Sequence, residues 1–92
     1  MKSTTQMVAI INDACNDFYL KVCLVRLLGV IKKDFKGHVS SENKLNDIMK
    51  DRYGWGNKTT RKRLNTLEDL GILTLQRTGK NQWTKEYRIS EA

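Results

Sequence analysis

A chain of 92 residues holds enough material for one domain with a modest core and too little for two. At 39% hydrophobic and 29% charged residues the composition is that of a globular protein, and no run reaches the roughly 18 apolar residues of a membrane-spanning helix. Lys and Arg exceed Asp and Glu by 17 to 10, and the net charge of +7 points to an acidic partner, either nucleic acid or an anionic membrane surface.

From Met1 to Gln6 there is no apolar stretch followed by a small-residue cleavage site, so the chain reads as soluble and cytoplasmic. Residues 5–35 are helical in pattern. Met7, Ile10, Ile11, Ala14, Cys15, Phe18, Val22, Val25, Leu28 and Ile31 recur at steps of three and four. Asn12-Asp13 and Asn16-Asp17 weaken the first half. The stretch is therefore one long helix, or a short helix followed by a stronger one beginning near Asp17. From Tyr19 to Ile31 the apolar residues run nearly all round, and a helix apolar on every side must be covered on every side. One small core can hardly do that, so the remainder should face the preceding helix or a second copy, which predicts a homodimer through the N-terminal helices.

Cys15 and Cys23 lie about 12 Å apart along a helix axis, too far for a disulfide, and with the single His38 they supply no recognisable zinc set. They are expected to be buried free thiols, and no metal or cofactor is expected. Lys32-Lys33-Asp34-Phe35-Lys36-Gly37 ends the helix with cations and a glycine stop. His38-Val39-Ser40 is too short for more than a one-bridge strand. Ser40 or Ser41 then caps a helix whose apolar face is Leu45, Ile48 and Met49. Asp51 to Gly56 form a turn, with Trp55 plugging the corner between two glycines.

The chain is organised around the next helix, 57–70. Asn57 is the expected N-cap and Gly71 the stop. Thr60, Leu64 and Leu67 face inward, while Lys58, Arg61, Lys62 and Asn65 fall on the other side. The cations occupy the first two turns, and Glu68 and Asp69 the last. That order opposes the helix dipole, and an external polyanion at the amino end would offset it. Beyond Gly71, Ile72 to Arg77 and Trp83 to Ser90 alternate as two strands, with Tyr87 and Ile89 on one face. A polar, glycine-containing loop joins them into a β-hairpin, and Arg77, Lys80 and Lys85 lie in or beside it.

The order helix, short extended piece, helix, glycine turn, helix, hairpin, with Leu64-Asn65-Thr66-Leu67-Glu68-Asp69-Leu70-Gly71-Ile72-Leu73 at the junction, resembles the winged helix-turn-helix family of DNA-binding domains. The resemblance covers residues 18–92 as a winged-helix core and leaves 1–17 as an N-terminal helical extension of a single domain spanning 1–92. It departs from the family at Thr60, where an aliphatic residue is usual, and at the glycine-rich Gly54-Trp55-Gly56 turn. The implied fold class is mainly α with a small β-hairpin.

The resemblance implies that helix 57–70 enters the major groove of double-stranded DNA, with Lys58, Thr59, Arg61 and Lys62 facing the bases and Asn65 next in reach. Arg61 is the expected base reader, and Arg63 is turned partly toward the protein and onto the DNA backbone. The wing, residues 77–86, would set Lys80 and Asn81 on the minor groove with Arg77 and Lys85 on flanking phosphates. Ser41 and Lys44 could add a backbone contact. A nucleoid- or plasmid-associated regulator of transcription is the expected function. The alternative is a segregation adaptor for a plasmid or phage that coats repeated sites and recruits a motor protein. A winged-helix protein-interaction module would carry acids or apolar residues on the helix's outer face, and this chain carries cations. No enzyme is expected, because nothing resembles a phosphate loop or a nucleophile with its base. Membrane-surface binding is disfavoured because the first helices lack a clean polar face.

Overall fold

In the computed structural model, which describes residues 2–78 and 84–90, the order is α1 (Thr4–Ala14), α2 (Phe18–Asp34), β1 (His38–Val39), α3 (Glu42–Tyr53), α4 (Asn57–Asp69), β2 (Leu73–Thr78) and β3 (Thr84–Ile89). The molecule is mainly helical with a small antiparallel sheet in the order β1-β3-β2. Of the two readings of residues 5–35, the broken helix is the one observed. Ser3 and Gln6 close a reciprocal capping box at the start of α1. The chain then opens at Cys15, and the Asp17 carboxylate accepts from the Tyr19 N–H at 2.9 Å to start α2.

The first 17 residues are more than an appendage, because Met7, Ile11 and Cys15 belong to the one core cluster. They join Leu24, Leu27 and Ile31 of α2, Leu45 and Met49 of α3, Leu64 and Leu67 of α4, and Tyr87 and Ile89 of β3. Cys15 and Cys23 are both free and buried, as their apolar setting suggests. The covering of α2 is incomplete. Phe18, Tyr19 and Val25 remain exposed at 77%, 65% and 38% of their surface.

At the end of α2 the left-handed region is entered first by Lys36, at φ 53°, and then by Gly37, whose N–H donates to the Ile31 carbonyl at 2.9 Å. Gly37 in turn accepts from the Ile89 N–H at 3.0 Å, which holds β3 against this corner. His38 and Val39 pair with Arg88 and Tyr87, so the expected two-stranded hairpin is a three-stranded sheet with β3 in the centre. Ile72 lies just before β2 instead of inside it. Buried together with Leu73, it interrupts the simple alternation expected of that strand, and its carbonyl accepts from the Ser90 N–H at 2.8 Å.

Helix α3 begins under the Ser41 hydroxyl, which accepts from the Lys44 N–H at 3.4 Å, and it stops at Gly54 in the left-handed region at φ 72°. Its inner face holds Asn46 beside Leu45 and Met49, with Ile48 half-buried. Arg52 near its end is paired with Asp34 of α2 at 2.7 Å. The Asp34 carboxylate, through this hydrogen bond first and its charge second, raises the Arg52 pKa above the ordinary guanidinium value. No helix among the described residues is long and apolar enough to cross a membrane.

Thr60 is fully buried at the start of α4, and its hydroxyl finds no hydrogen-bond partner among the described residues. A buried hydroxyl without a partner costs on the order of 1–3 kcal/mol, whereas an apolar group of the same shape costs nothing comparable. Thr60→Val should therefore raise stability by about 1 kcal/mol, seen as a Tm increase of several degrees on thermal denaturation. An unchanged or lower Tm would mean that the hydroxyl is satisfied in solution.

Candidate functional site

The site is built on α4, which is held by contacts to α2, α3 and β2. Its N-cap is Gly56, and no side chain caps it; Asn57, expected in that role, is the first helical residue. The helix ends at Asp69 with Leu70 as C-cap, and Gly71 takes φ 77° to turn the chain into the sheet. Thr60, Leu64 and Leu67 are buried as their spacing predicts. That orientation turns the other face outward. Lys58, Arg61, Lys62 and Asn65 are exposed and Thr59 is half-buried, and these five side chains line one shallow groove. No acid lies in the first turn of α4 and no base in its last turn, so the charge order against the helix dipole stands in the folded helix.

Arg61 does not stand alone on this face. Its Nε donates to Oε1 of Glu42, in the first turn of α3, at 3.3 Å. The carboxylate is well covered at 15% exposure and the guanidinium is open at 55%. Occupying Nε leaves the two Nη amines as the pair that can meet an outside acceptor end-on. Glu42 is a member of the site that the sequence did not reveal. In the chain it reads as an ordinary first-turn acid, and only the α3–α4 packing brings it to Arg61.

Arg63 belongs largely to the protein. Its guanidinium stacks 4.2 Å from the Trp55 ring centroid and 5.8 Å from that of Tyr19. The side chain is half-buried, and its Nη1 has no hydrogen-bond partner among the described residues. The partly inward turn expected of Arg63 takes the form of cation–π packing on the corner aromatic. Trp55, 7% exposed, does plug the turn, with Tyr53 at 5.9 Å and Arg26 5.2 Å over the Tyr53 ring.

The remaining expected contacts are more dispersed. Lys44 is exposed beside the start of α3, while the Ser41 hydroxyl is already used as that helix's cap. Lys85 is half-buried on β3, opposite Arg77 in the ladder. Lys80 and Asn81, at the expected wing tip, lie outside the described residues, as does the side chain of Arg77. His38 Nε2 lies 3.4 Å from Glu86 Oε1 on the sheet, in an orientation that forms no hydrogen bond. No cluster of three or more His, Cys, Asp or Glu able to hold a metal occurs among the described residues.

Comparisons with protein-family models, with curated proteins and with solved structures returned no match.

The two arginines of α4 should separate cleanly on mutation. Arg63→Ala removes a stacked cation and the packing of its stem, and is expected to cost about 1–2 kcal/mol in urea denaturation. Arg61→Ala breaks only an open ion pair and should leave the Tm within about 2 °C of the parent. Equal losses for both variants would contradict the different burial of the two side chains.

Proposed function

We propose that this protein binds double-stranded DNA as a winged helix-turn-helix, with α4 in the major groove. The observation that carries the reading is the outward groove of Lys58, Thr59, Arg61, Lys62 and Asn65 on a helix whose opposite face is buried. It is supported by three further features. The net charge is +7, α3 and α4 meet across a tight glycine turn, and an antiparallel sheet follows α4 directly. A helix inserts into the major groove along its length, and cations in its first turns neutralise phosphates while one side chain reads a base edge.

In this reading Lys58 and Lys62 meet phosphates, and Arg61 presents its Nη pair to O6 and N7 of a guanine, with Glu42 holding the guanidinium by its Nε. Glu42 is then a positioning residue. It also sets a negative charge beside the groove, which penalises unspecific approach to phosphate. Arg77, Lys80, Asn81 and Lys85 would bring the wing onto the minor groove and its phosphates. A small regulator of transcription uses such a surface directly. An adaptor that coats DNA sites and recruits another protein is the second reading, and the exposed apolar residues of α2 are what favour it. A homodimer through the N-terminal helices would have to form on that same surface.

Duplex binding can be measured by fluorescence anisotropy on sites enriched from a random pool. Arg61→Ala and Lys62→Ala are each expected to weaken binding at least about tenfold, given the worth of a bidentate base contact or a phosphate contact. With about four phosphates neutralised, raising salt from about 50 to 200 mM should lower affinity ~100-fold. Unchanged affinity in both variants would overturn the assignment of α4.

Glu42→Gln has a different signature. It should raise affinity for unrelated duplex several-fold while lowering the ratio of specific to unspecific binding about tenfold, the scale of one lost base discrimination. A specificity ratio equal to the parent's would remove Glu42 from the reading mechanism.

A further inference from the structure

Of the three large apolar side chains exposed on α2, Tyr19 lies beside α4, while Phe18 and Val25 share another face. Phe18, Val22, Val25 and Gly29 follow one another at steps of four, three and four, which places them in a single stripe along the helix. Thr4, Val8 and Asn12, each four apart on α1, run alongside and form the opposite wall. The two helices thus leave a groove about 16 Å long from Phe18 to Gly29, with Val25 at its middle. Lys32 closes its far end by donating from Nζ to the Thr4 hydroxyl.

Gly29 is a second and independent sign that something lies on this surface. Glycine is among the weakest formers of a helix interior, and it is tolerated there when a close approach requires it. Nothing among the described residues makes such an approach, because a Cβ built at Gly29 would have no neighbour within 4 Å. The position is exposed, and it continues the apolar stripe.

Charge identifies the occupant. Lys21 and Arg26 line the groove beside Phe18 and Val25, Lys32 stands at its end, and among the described residues no carboxylate lines either half of it. A second copy related by a two-fold axis would bring these cations against each other, since an isologous contact pairs each patch with itself. A helix carrying its own carboxylates beside an apolar seam meets both needs.

We propose that the α1–α2 groove seats an amphipathic helix of an acidic partner protein, with apolar side chains on Phe18, Val22 and Val25, its backbone close to Gly29, and carboxylates opposite Lys21 and Arg26. This surface is separate from the outward groove of α4, and the proposal stands whether or not α4 binds DNA.

The test uses the full chain without DNA and two synthetic helical peptides of equal length and identical leucine spacing, one flanked by glutamates and one by lysines. Anisotropy should give at least tenfold tighter binding of the glutamate peptide, and the double variant Lys21→Glu, Arg26→Glu should reverse the preference. Val25→Glu should abolish binding while leaving duplex affinity unchanged. Gly29→Leu should weaken peptide binding at least tenfold, whereas Gly29→Ala should raise the Tm by several degrees, which separates a docking role from a structural one. Equal affinity for the two peptides, or no binding of either, overturns the proposal. So does peptide binding that survives Val25→Glu and is lost in Lys62→Ala, which would put the contact on α4. A dimer in light scattering that Val25→Glu dissociates would make a second copy the occupant and overturn it too.

Discussion

The narrowness of the buried stripe on α4 is the constraint on which the rest depends. Thr60, Leu64 and Leu67 are the helix's fully buried residues, and they fix its rotation about its own axis. Once they are inside, Lys58, Arg61, Lys62 and Asn65 have no option but to face outward. A wider apolar face would hold the helix more tightly and leave fewer positions for cations. A narrower one would let it roll. The elements around α4 serve the same end: Trp55 and Arg63 lock the corner before it, and Gly71 turns the chain away after it.

Helix α2 shows the opposite balance. It supplies six buried residues to the core, more than any other helix, yet it carries more apolar surface than the described residues cover. Its two faces therefore belong to different problems. The face toward α3, α4 and the sheet stabilises the fold, because burying an aliphatic side chain is worth about 1.5–3 kcal/mol. The open stripe of Phe18 and Val25 contributes less, and Phe18, more than three-quarters exposed, adds almost nothing. A single chain can in this way assign one surface to α4 and another to the α1–α2 groove without the two competing for residues.

Much of this was legible in the residues themselves. The inward set on α4, a serine cap at Ser40 or Ser41, the corner role of Trp55 and the inward pair Tyr87 and Ile89 all follow from spacing and from what each side chain can do locally. The turn expected over 51–56 is shorter, because α3 runs on to Tyr53 before Gly54 stops it. What was hidden depends on neighbours distant in the chain. Glu42 and Arg61 are separated by 19 positions, and neither looks unusual in its own helix. Arg63 is expected to turn partly toward the protein, but its stacking partner Trp55, eight positions earlier across a turn, is not foreseen. The extended piece at His38–Val39 is expected to be at most a one-bridge strand, and its two-residue pairing with β3 is not foreseen, since so short a segment has too little pattern to declare a partner. Asn57 lost the cap because the helix starts one residue earlier in register, with Gly56 in the extended conformation that the position needs.

The two cysteines give the N-terminal half a built-in reporter. Cys15 ends α1 and Cys23 lies on α2, and both sulfurs are shielded, at 8% and 1% exposure of their residues. A thiol reagent can reach them only while the surrounding structure is open, so the alkylation rate measures how often it opens. Cys15, at the helix end where the chain unwinds, answers to the detachment of α1 alone. Cys23, inside α2, answers to the loss of the core itself. The ratio of the two rates then separates fraying of the first helix from unfolding of the whole molecule, with no label added to the sequence.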